Sequence, residues 1–285
     1  GHVATAKHLQ PRGLLQPGQG DSHDASLYGS QSQSAGIRCG TDPMSELSEP
    51  TAIAELESLS GSGFRRTDPP GVWAGSSLGY EVGPESSEKL SEVMKILSAH
   101  EEPVLVTGGT TQLGSINTVR KTQIRLSCRP LSGVDECDAA DGVMRARAGT
   151  SIEELTRVAA EAGWVLPMDT LSEAGTLGGA LATGIRGPRR LGFGAVRDNV
   201  LGIETTLATG ERTHCGARVV KNVTGYDMAK LYVGSFGSLA VIEGAWIRLK
   251  PKAQSVNSLA LSLEEDEESF VKEISSKGNI VDKKV

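Results

Sequence analysis

A chain of 285 residues with a formal net charge of −6 and a pI near 5.5 is long enough for two modest domains with real cores. It carries too little positive charge for a nucleic-acid surface, which needs a basic excess against phosphates. Four cysteines without a CxxC pair, no run of the roughly 18 apolar residues that span a bilayer, and no basic-then-apolar start read as a cytoplasmic protein without disulfides.

Taken in chain order, residues 1–43 are rich in Gly, Ser, Gln and His and poor in branched apolar side chains, so they are read as a disordered or non-native segment. Met44 opens a normally patterned stretch, and residues 44–74 are expected to form an N-terminal helix and a linker. From Tyr80 the pattern changes. YEVGPES predicts a short strand, and SEKLSEVMKILSAH places Leu90, Val93, Met94, Ile96 and Leu97 on one helical face. PVLVTGG predicts a buried strand running into glycines, and IRLSCRPL and GVMRARAG two more strands. SIEELTRVAAEAG predicts an amphipathic helix with Ser151 as N-cap, Glu154 completing a capping box and Gly163 as the stop. After Pro167 comes a glycine-punctuated region, then VLGIETTLA and RTHCGARVV, which predict a hairpin turning at Thr209-Gly210. A helix over 227–233, a loop and strand in GSFGSLAVIEGAWIRLKP, and a final strand and helix in SLALSL and EEDEESFVKEISS complete the reading. Strand and helix interleave in short units, so the fold class is α+β.

Three glycine-rich clusters carry the chemistry. The first, Val106-Thr107-Gly108-Gly109-Thr110-Thr111-Gln112-Leu113-Gly114, follows a buried apolar strand directly. Its glycines let successive backbone N–H groups turn inward as an anion-binding nest with threonine hydroxyls beside them, which suits a pyrophosphate; an ordinary strand-to-turn connection has the same pattern. Neither a G-x-G-x-x-G opening a helix nor the Gly-Lys-Ser/Thr of a P-loop is present, which argues against a Rossmann fold and an NTPase. The second cluster runs through EAGTLGGALATG (173–184) and GPRRLGFGAVRDNVLG (187–202), where small residues keep side chains away from whatever lies against them. The third is KNVTGYD (221–227) followed by GSFGSLAVI (234–242).

In this order and at these separations the clusters resemble the PCMH-type FAD-binding domain of the vanillyl-alcohol-oxidase superfamily, over residues 75–252. The resemblance implies two α+β subdomains, with residues 253–285 as the truncated beginning of a cap domain. It implies that Thr107, Gly108, Gly109, Thr110, Thr111 and Gln112, together with Gly175, Thr176, Gly178, Gly179, Ala182, Thr183 and Gly184, wrap the FAD pyrophosphate. Gly194, Val196 and Asp198, with Gly237, Val241 and Ile242 of the last turn and strand, are then expected to carry ribityl, flavin and adenine contacts. Residues 103–119 contain no His or Cys of the kind that attaches flavin covalently in this superfamily, so the FAD is expected to be non-covalent.

Within the superfamily, GPRRLGFGAVRDNVLG and VVKNVTGYDMAKLYVGSFGSLAVI are most similar to the FAD-binding companion subunit of bacterial glycolate oxidase. Other members carry Glu where this chain has Phe236, which favours that subunit. The resemblance implies an FAD-dependent oxidoreductase of a 2-hydroxy acid, glycolate or D-lactate, passing electrons to a homologous flavoprotein subunit and an iron-sulfur subunit, cytoplasmic or peripheral at the inner membrane through those partners. Two alternatives stand beside it: a truncated stand-alone D-2-hydroxy-acid dehydrogenase, and a non-catalytic flavin-binding scaffold.

No acid-base constellation can be named; in related dehydrogenases those groups lie mostly on the cap. Arg189, Arg190 and Arg197 could pair with a phosphate or a substrate carboxylate or form a solvated basic loop, and Lys221 with Asp227 is read as structural. His214 and Cys215 are read as packing or surface residues, and the acidic run 264–268 as a solvated first helical turn, not a metal site.

Overall fold

The computed structural model describes residues 49–73, 76–115, 122–168, 174–184, 187–216, 218 and 227–255, all within a compact unit that spans 48–285. Residues 1–43, the expected strand and helix after 255, and Lys221 lie outside the described residues.

The first half is built on hydrophobic spacing at the helical period. Helix α1 (Ile53–Ser58) buries Ile53 and Leu56, and the β-strand β1 (Arg65–Trp73) follows it. Residues 44–74 thus hold a strand as well as the expected helix. Pro69 and Pro70 cannot donate to a ladder, which hides the strand from sequence; β1 tolerates them because it is an edge strand with a register shift between Arg66 and Gly71. Strand β2 (Ser76–Val82) pairs with it antiparallel. Helix α2 (Ser87–Ala99) starts at Ser86, whose side chain accepts from the Lys89 N–H, and buries Leu90, Val93, Met94 and Leu97, with Ile96 partly buried. Strands β3 (Val104–Thr107) and β4 (Ile124–Ser127) pair in parallel, completing a four-stranded sheet of order β1-β2-β4-β3. Val82, Ile124 and Leu126 of this sheet and the apolar face of α2 share one core.

The second half is an antiparallel sheet roofed by helices. Strands β5 (Val134–Asp138) and β6 (Val143–Arg147) form its first hairpin. Helix α3 (Ile152–Glu161) follows, and the Ser151 side chain accepts from the Glu154 N–H, the Ser half of the expected capping box. A short strand β7 (Trp164–Val165) leads towards helix α4 (Leu177–Thr183). The sequence assigns no element to this glycine-punctuated stretch; an N-cap at Thr176 and burial of Leu177, Ala180 and Leu181 overcome the low helix propensity of Gly178 and Gly179. Helix α5 (Arg190–Phe193) is one turn. Strands β8 (Val200–Thr206) and β9 (Arg212–Gly216) form the expected hairpin around Gly210, whose φ is +80°. Helix α6 (Ala229–Tyr232) is shorter than the predicted 227–233. Strand β10 (Val241–Arg248) runs through the centre of the sheet, whose order is β5-β6-β10-β8-β9, and β11 (Lys250–Pro251) pairs with β7. Ile152 and Leu155 of α3 and Leu177 and Leu181 of α4 pack on Met144, Ile203 and Ile247 of the sheet. Shortening any of these leucines to Ala is of the kind that costs about 2–5 kcal/mol.

The halves are tied by polar contacts as well. Ser91 of α2 donates to the Gly210 carbonyl at 2.5 Å, and Arg212 of β9 reaches Glu88 of α2 at 2.8 Å. No helix among the described residues is long and apolar enough to cross a membrane, and no group of three His, Cys, Asp or Glu among them could hold a metal ion.

Candidate functional site

The site begins where β3 runs out. Thr107 still accepts the Cys128 N–H at 2.8 Å in the ladder, but the N–H groups of Gly108, Gly109, Thr110 and Thr111 meet no acceptor among the described residues. Thr110 takes φ +62°, a reversal of backbone sense of the kind that anion nests are built from. The loop must also lie flat on the segment before α4. A Cβ on Gly108 would collide with Thr176 Oγ1, and one on Gly109 with the Ala174 carbonyl.

The second wall is α4. Its own first donors are consumed by the chain: Leu177 N–H goes to the Thr150 carbonyl at 2.9 Å, Gly178 N–H to that of Ala148 at 2.8 Å, and Gly179 N–H to Thr176 Oγ1 at 3.3 Å. The donors left without an acceptor are therefore those of the loop after β3, while α4 presents small side chains. Gly178 faces Ala148, the residue just after β6, whose Cβ a Cβ on Gly178 would meet at 2.8 Å. Gly179 is different: a Cβ there meets only Thr176 Oγ1, at 3.3 Å, and its φ lies outside the left-handed region. The missing side chain at Gly179 leaves space, not backbone freedom.

The third wall is the turn after α6. Gly234 N–H donates to the Leu181 carbonyl at 2.9 Å and Phe236 N–H to that of Ala182 at 2.8 Å, which fastens residues 234–237 to α4. Ser235 Oγ is enclosed with no hydrogen-bond partner among the described residues.

Between these walls lies a cavity of about 560 Å³, bounded by Val104 to Leu113, by Gly175, Thr176, Gly179, Ala180, Ala182 and Thr183, and by Ser235 to Ser238. That volume is in the usual range for a small-molecule site, about 300–1,000 Å³. A smaller recess of about 60 Å³ beside it is lined by Gly178, Cys128, Ala240 and Ile242 among others. The cavity wall holds no Asp, Glu, His, Lys or Arg among the described residues. The Cys128 thiol at the recess is pushed up to about 12 by burial, then by the nearby Glu243 carboxylate, and so stays a poorly nucleophilic thiol at neutral pH.

The structure thus brings Thr107, Gly108, Gly109, Thr110, Thr111, Gln112, Gly175, Thr176, Gly179, Ala182, Thr183 and Gly237 around the cavity, with Gly178 and Ile242 at the recess. Five expected residues lie elsewhere. Gly184, with φ +60°, caps α4 beside Gly234; Gly194, with φ +80°, caps α5. Asp198 accepts from the Ala195 N–H at 3.2 Å, Val196 is buried in the second core and Val241 in the first. Sequence reasoning did not single out Val104, Leu105, Ser235 or Ser238 for the site, and it noted Phe236 only as a departure. Val104 and Leu105 read only as a buried strand, and Ser235 and Ser238 only as members of the third glycine-rich cluster, because their place at the cavity arises from where the walls meet.

Arg189 donates to the Met168 carbonyl at 3.3 Å and lies over the Phe193 ring, while Arg197 is 3.8 Å from Asp198. Arg190 is exposed. Asp227 pairs with Lys230 at 3.2 Å. His214 is exposed on β9, and Cys215 packs against the second core.

The family described as the FAD binding domain matches residues 80–216. The chain is 35% identical over 180 residues to the D-lactate dehydrogenase of Archaeoglobus fulgidus, a match covering 63% of this chain and 40% of that protein. It is 31% identical over 183 residues to glycolate oxidase subunit GlcE of Escherichia coli, covering 63% and 52%, and 28% identical over 179 residues to subunit GlcD of Bacillus subtilis, covering 62% and 38%. It therefore spans about half or less of the length of these curated relatives. Among solved structures, an alkyldihydroxyacetonephosphate synthase superposes with a TM-score of 0.61 at 20% identity, over 73% of this chain and 45% of that one, which is a likeness of fold.

Proposed function

We propose, from the premise that residues 80–216 are an FAD-binding domain, that this chain is the flavin-holding part of an oxidoreductase acting on a 2-hydroxy acid such as glycolate or D-lactate. The observation that carries the reading is the cavity itself: free loop N–H groups at 108–111, an enclosed Ser235 hydroxyl without a partner and the space at Gly179 suit a long ligand with an anionic middle and flat ends. The names of the relatives, a D-lactate dehydrogenase and two glycolate oxidase subunits, support the substrate class. When bound, FAD would supply the redox chemistry, accepting a hydride equivalent from the hydroxy acid.

The chain's own residues would do the holding. The N–H groups of Gly108 to Thr111 and the Thr111 hydroxyl would receive the pyrophosphate oxygens, and the small residues of α4 would let a planar ring lie close while keeping water out. Thr107, Gln112, Gly175, Thr176, Gly178, Ala182, Thr183, Gly237 and Ile242 would complete the cofactor site. Gly184, Gly194, Val196, Asp198 and Val241 would act through the walls they brace. With His and Cys absent from 103–119 and Cys128 held as a thiol, the flavin would be bound non-covalently. Acid precipitation of the yellow protein should release all of its FAD to the supernatant; flavin retained in the pellet would count against this.

Because the cavity wall holds no group able to take a hydroxyl proton or clamp a carboxylate among the described residues, those groups would come from elsewhere in the assembly. The favoured arrangement is a glycolate-oxidase-like complex in which this chain works beside a homologous flavoprotein and an iron-sulfur subunit. The 35% identity to a D-lactate dehydrogenase favours a second reading, a stand-alone dehydrogenase of which this chain is a part. Anaerobic stopped-flow bleaching of the flavin band, near ~450 nm, separates them, since the redox change is the cofactor's own. The FAD-loaded chain alone should bleach with glycolate or D-lactate far more slowly than the reconstituted complex. Rapid, saturable bleaching without a partner would overturn the subunit reading.

A further inference from the structure

We propose that Phe236 is a ring-stacking residue of the cavity, holding a flat aromatic portion of the bound dinucleotide against α4. The proposal rests on the FAD reading above and adds a residue and a contact to it.

Phe236 occupies a conformation that an L side chain rarely adopts, with φ +54°, between Gly234 and Gly237, whose φ values are +86° and +73°. The residue is 52% exposed, although a phenyl group gains by burial. Neither cost is offset inside the described fold. Phe236 belongs to neither core cluster, and it makes no ring-ring or cation-ring contact among the described residues. A glycine would suit the backbone better at this position. The ring is nevertheless firmly rooted. Its N–H donates to the Ala182 carbonyl at 2.8 Å, and Ser238 closes the turn by donating from both N–H and Oγ to the Ser235 carbonyl at 3.0 and 2.6 Å.

The residue borders both the large cavity and the recess, on the wall next to Ala182 and Gly237 and across from the loop after β3. An aromatic ring on a half-exposed residue, among glycine, aliphatic and hydroxyl-bearing neighbours and no other aromatic, is suited to face-to-face or edge contact with another ring, and a dinucleotide brings two, an isoalloxazine and an adenine.

The test is Phe236→Gly against Phe236→Trp in the full chain, read by FAD titration and by thermal melting without cofactor. Phe236→Gly should weaken FAD about tenfold, equal to ~1.4 kcal/mol, while leaving the cofactor-free melting temperature unchanged or higher because the positive φ is relieved. Phe236→Trp should keep the affinity near wild type. Parallel titrations with FMN and with ADP identify the ring: the contact lies on the flavin if FMN loses affinity with the variant, and on the adenine if ADP does. Unchanged FAD affinity in Phe236→Gly would overturn the proposal, as would a lowered melting temperature accompanying the loss, which would mark a structural role. Failure of the wild-type chain to take up FAD would instead overturn the reading beneath it.

Discussion

Gly179→Val should leave the protein folded and abolish its FAD binding. A Cβ at this position meets only Thr176 Oγ1, at 3.3 Å, a contact that a shift of a few tenths of an ångström in that hydroxyl relieves, and the backbone is not left-handed, so the fold is expected to take the side chain. Valine is also a better helix former than glycine, which slightly favours α4. The added carbons have one place to go, the cavity wall shared with Thr176 and Thr183, where the flat ligand needs to approach the helix. A loss of about 100-fold or more in FAD affinity is expected, ~2.7 kcal/mol, with a melting temperature close to wild type in the absence of cofactor. Wild-type affinity in a folded variant would mean that the cavity is not the FAD site. The neighbouring Gly108→Ala and Gly178→Ala are expected to behave differently. Each drives a methyl into Thr176 Oγ1 or the Ala148 side chain, overpacking of the kind that costs about 1–3 kcal/mol, so stability should fall along with binding.

The second large effect lies away from the cavity. Glu243 sits in the central strand β10 with its carboxylate almost wholly buried, accepting from the Thr206 hydroxyl and from Arg212 Nε and Nη2 at 3.3 and 3.1 Å. Arg212 also bonds Glu88 of α2, so one guanidinium neutralises a buried carboxylate and joins the second sheet to the first half. Breaking a buried pair by removing one partner typically costs 3–5 kcal/mol, because the remaining charge is left desolvated. Arg212 is 43% exposed, which lets water reach the gap and places Arg212→Ala at the low end, about 3 kcal/mol. For a domain of this size that is a fall in melting temperature of roughly 6–12 °C. Adding Glu243→Gln to Arg212→Ala removes the stranded charge and should recover a good part of the loss, a coupling that thermal melts of the single and double variants measure directly. A double variant no more stable than Arg212→Ala alone would show that the pair does not act as argued.

The elements legible in the sequence were those whose signals are local. Leu90, Val93, Met94 and Leu97 recur at the helical period, so α2 was visible with its buried face. Ser151 and Gly163 marked both ends of α3, and Thr209-Gly210 between two branched runs marked the β8-β9 hairpin. Where local signals pointed the wrong way, tertiary packing decided. Two prolines disguised β1, which survives as a bulged edge strand. Two glycines disguised α4, which burial of Leu177 and Leu181 and the Thr176 cap hold together.

The same division runs through the site. That the glycine-rich clusters belong to one flavin-binding domain was implied by their resemblance to that family, because clustered glycines by themselves, which leave N–H groups free and surfaces without side chains, suit an ordinary turn as well. Which glycines do which task could not be read there. Gly108, Gly109 and Gly178 are small because another segment lies against them, Gly184 and Gly194 stand where a helix ends, and Gly179 borders the cavity. Those roles depend on close approaches between the turn after β3, the start of α4 and the turn at 234–237. These segments are distant in the chain, and their separation to within an ångström is set by how the two sheets and their helices pack, which no run of neighbouring residues encodes.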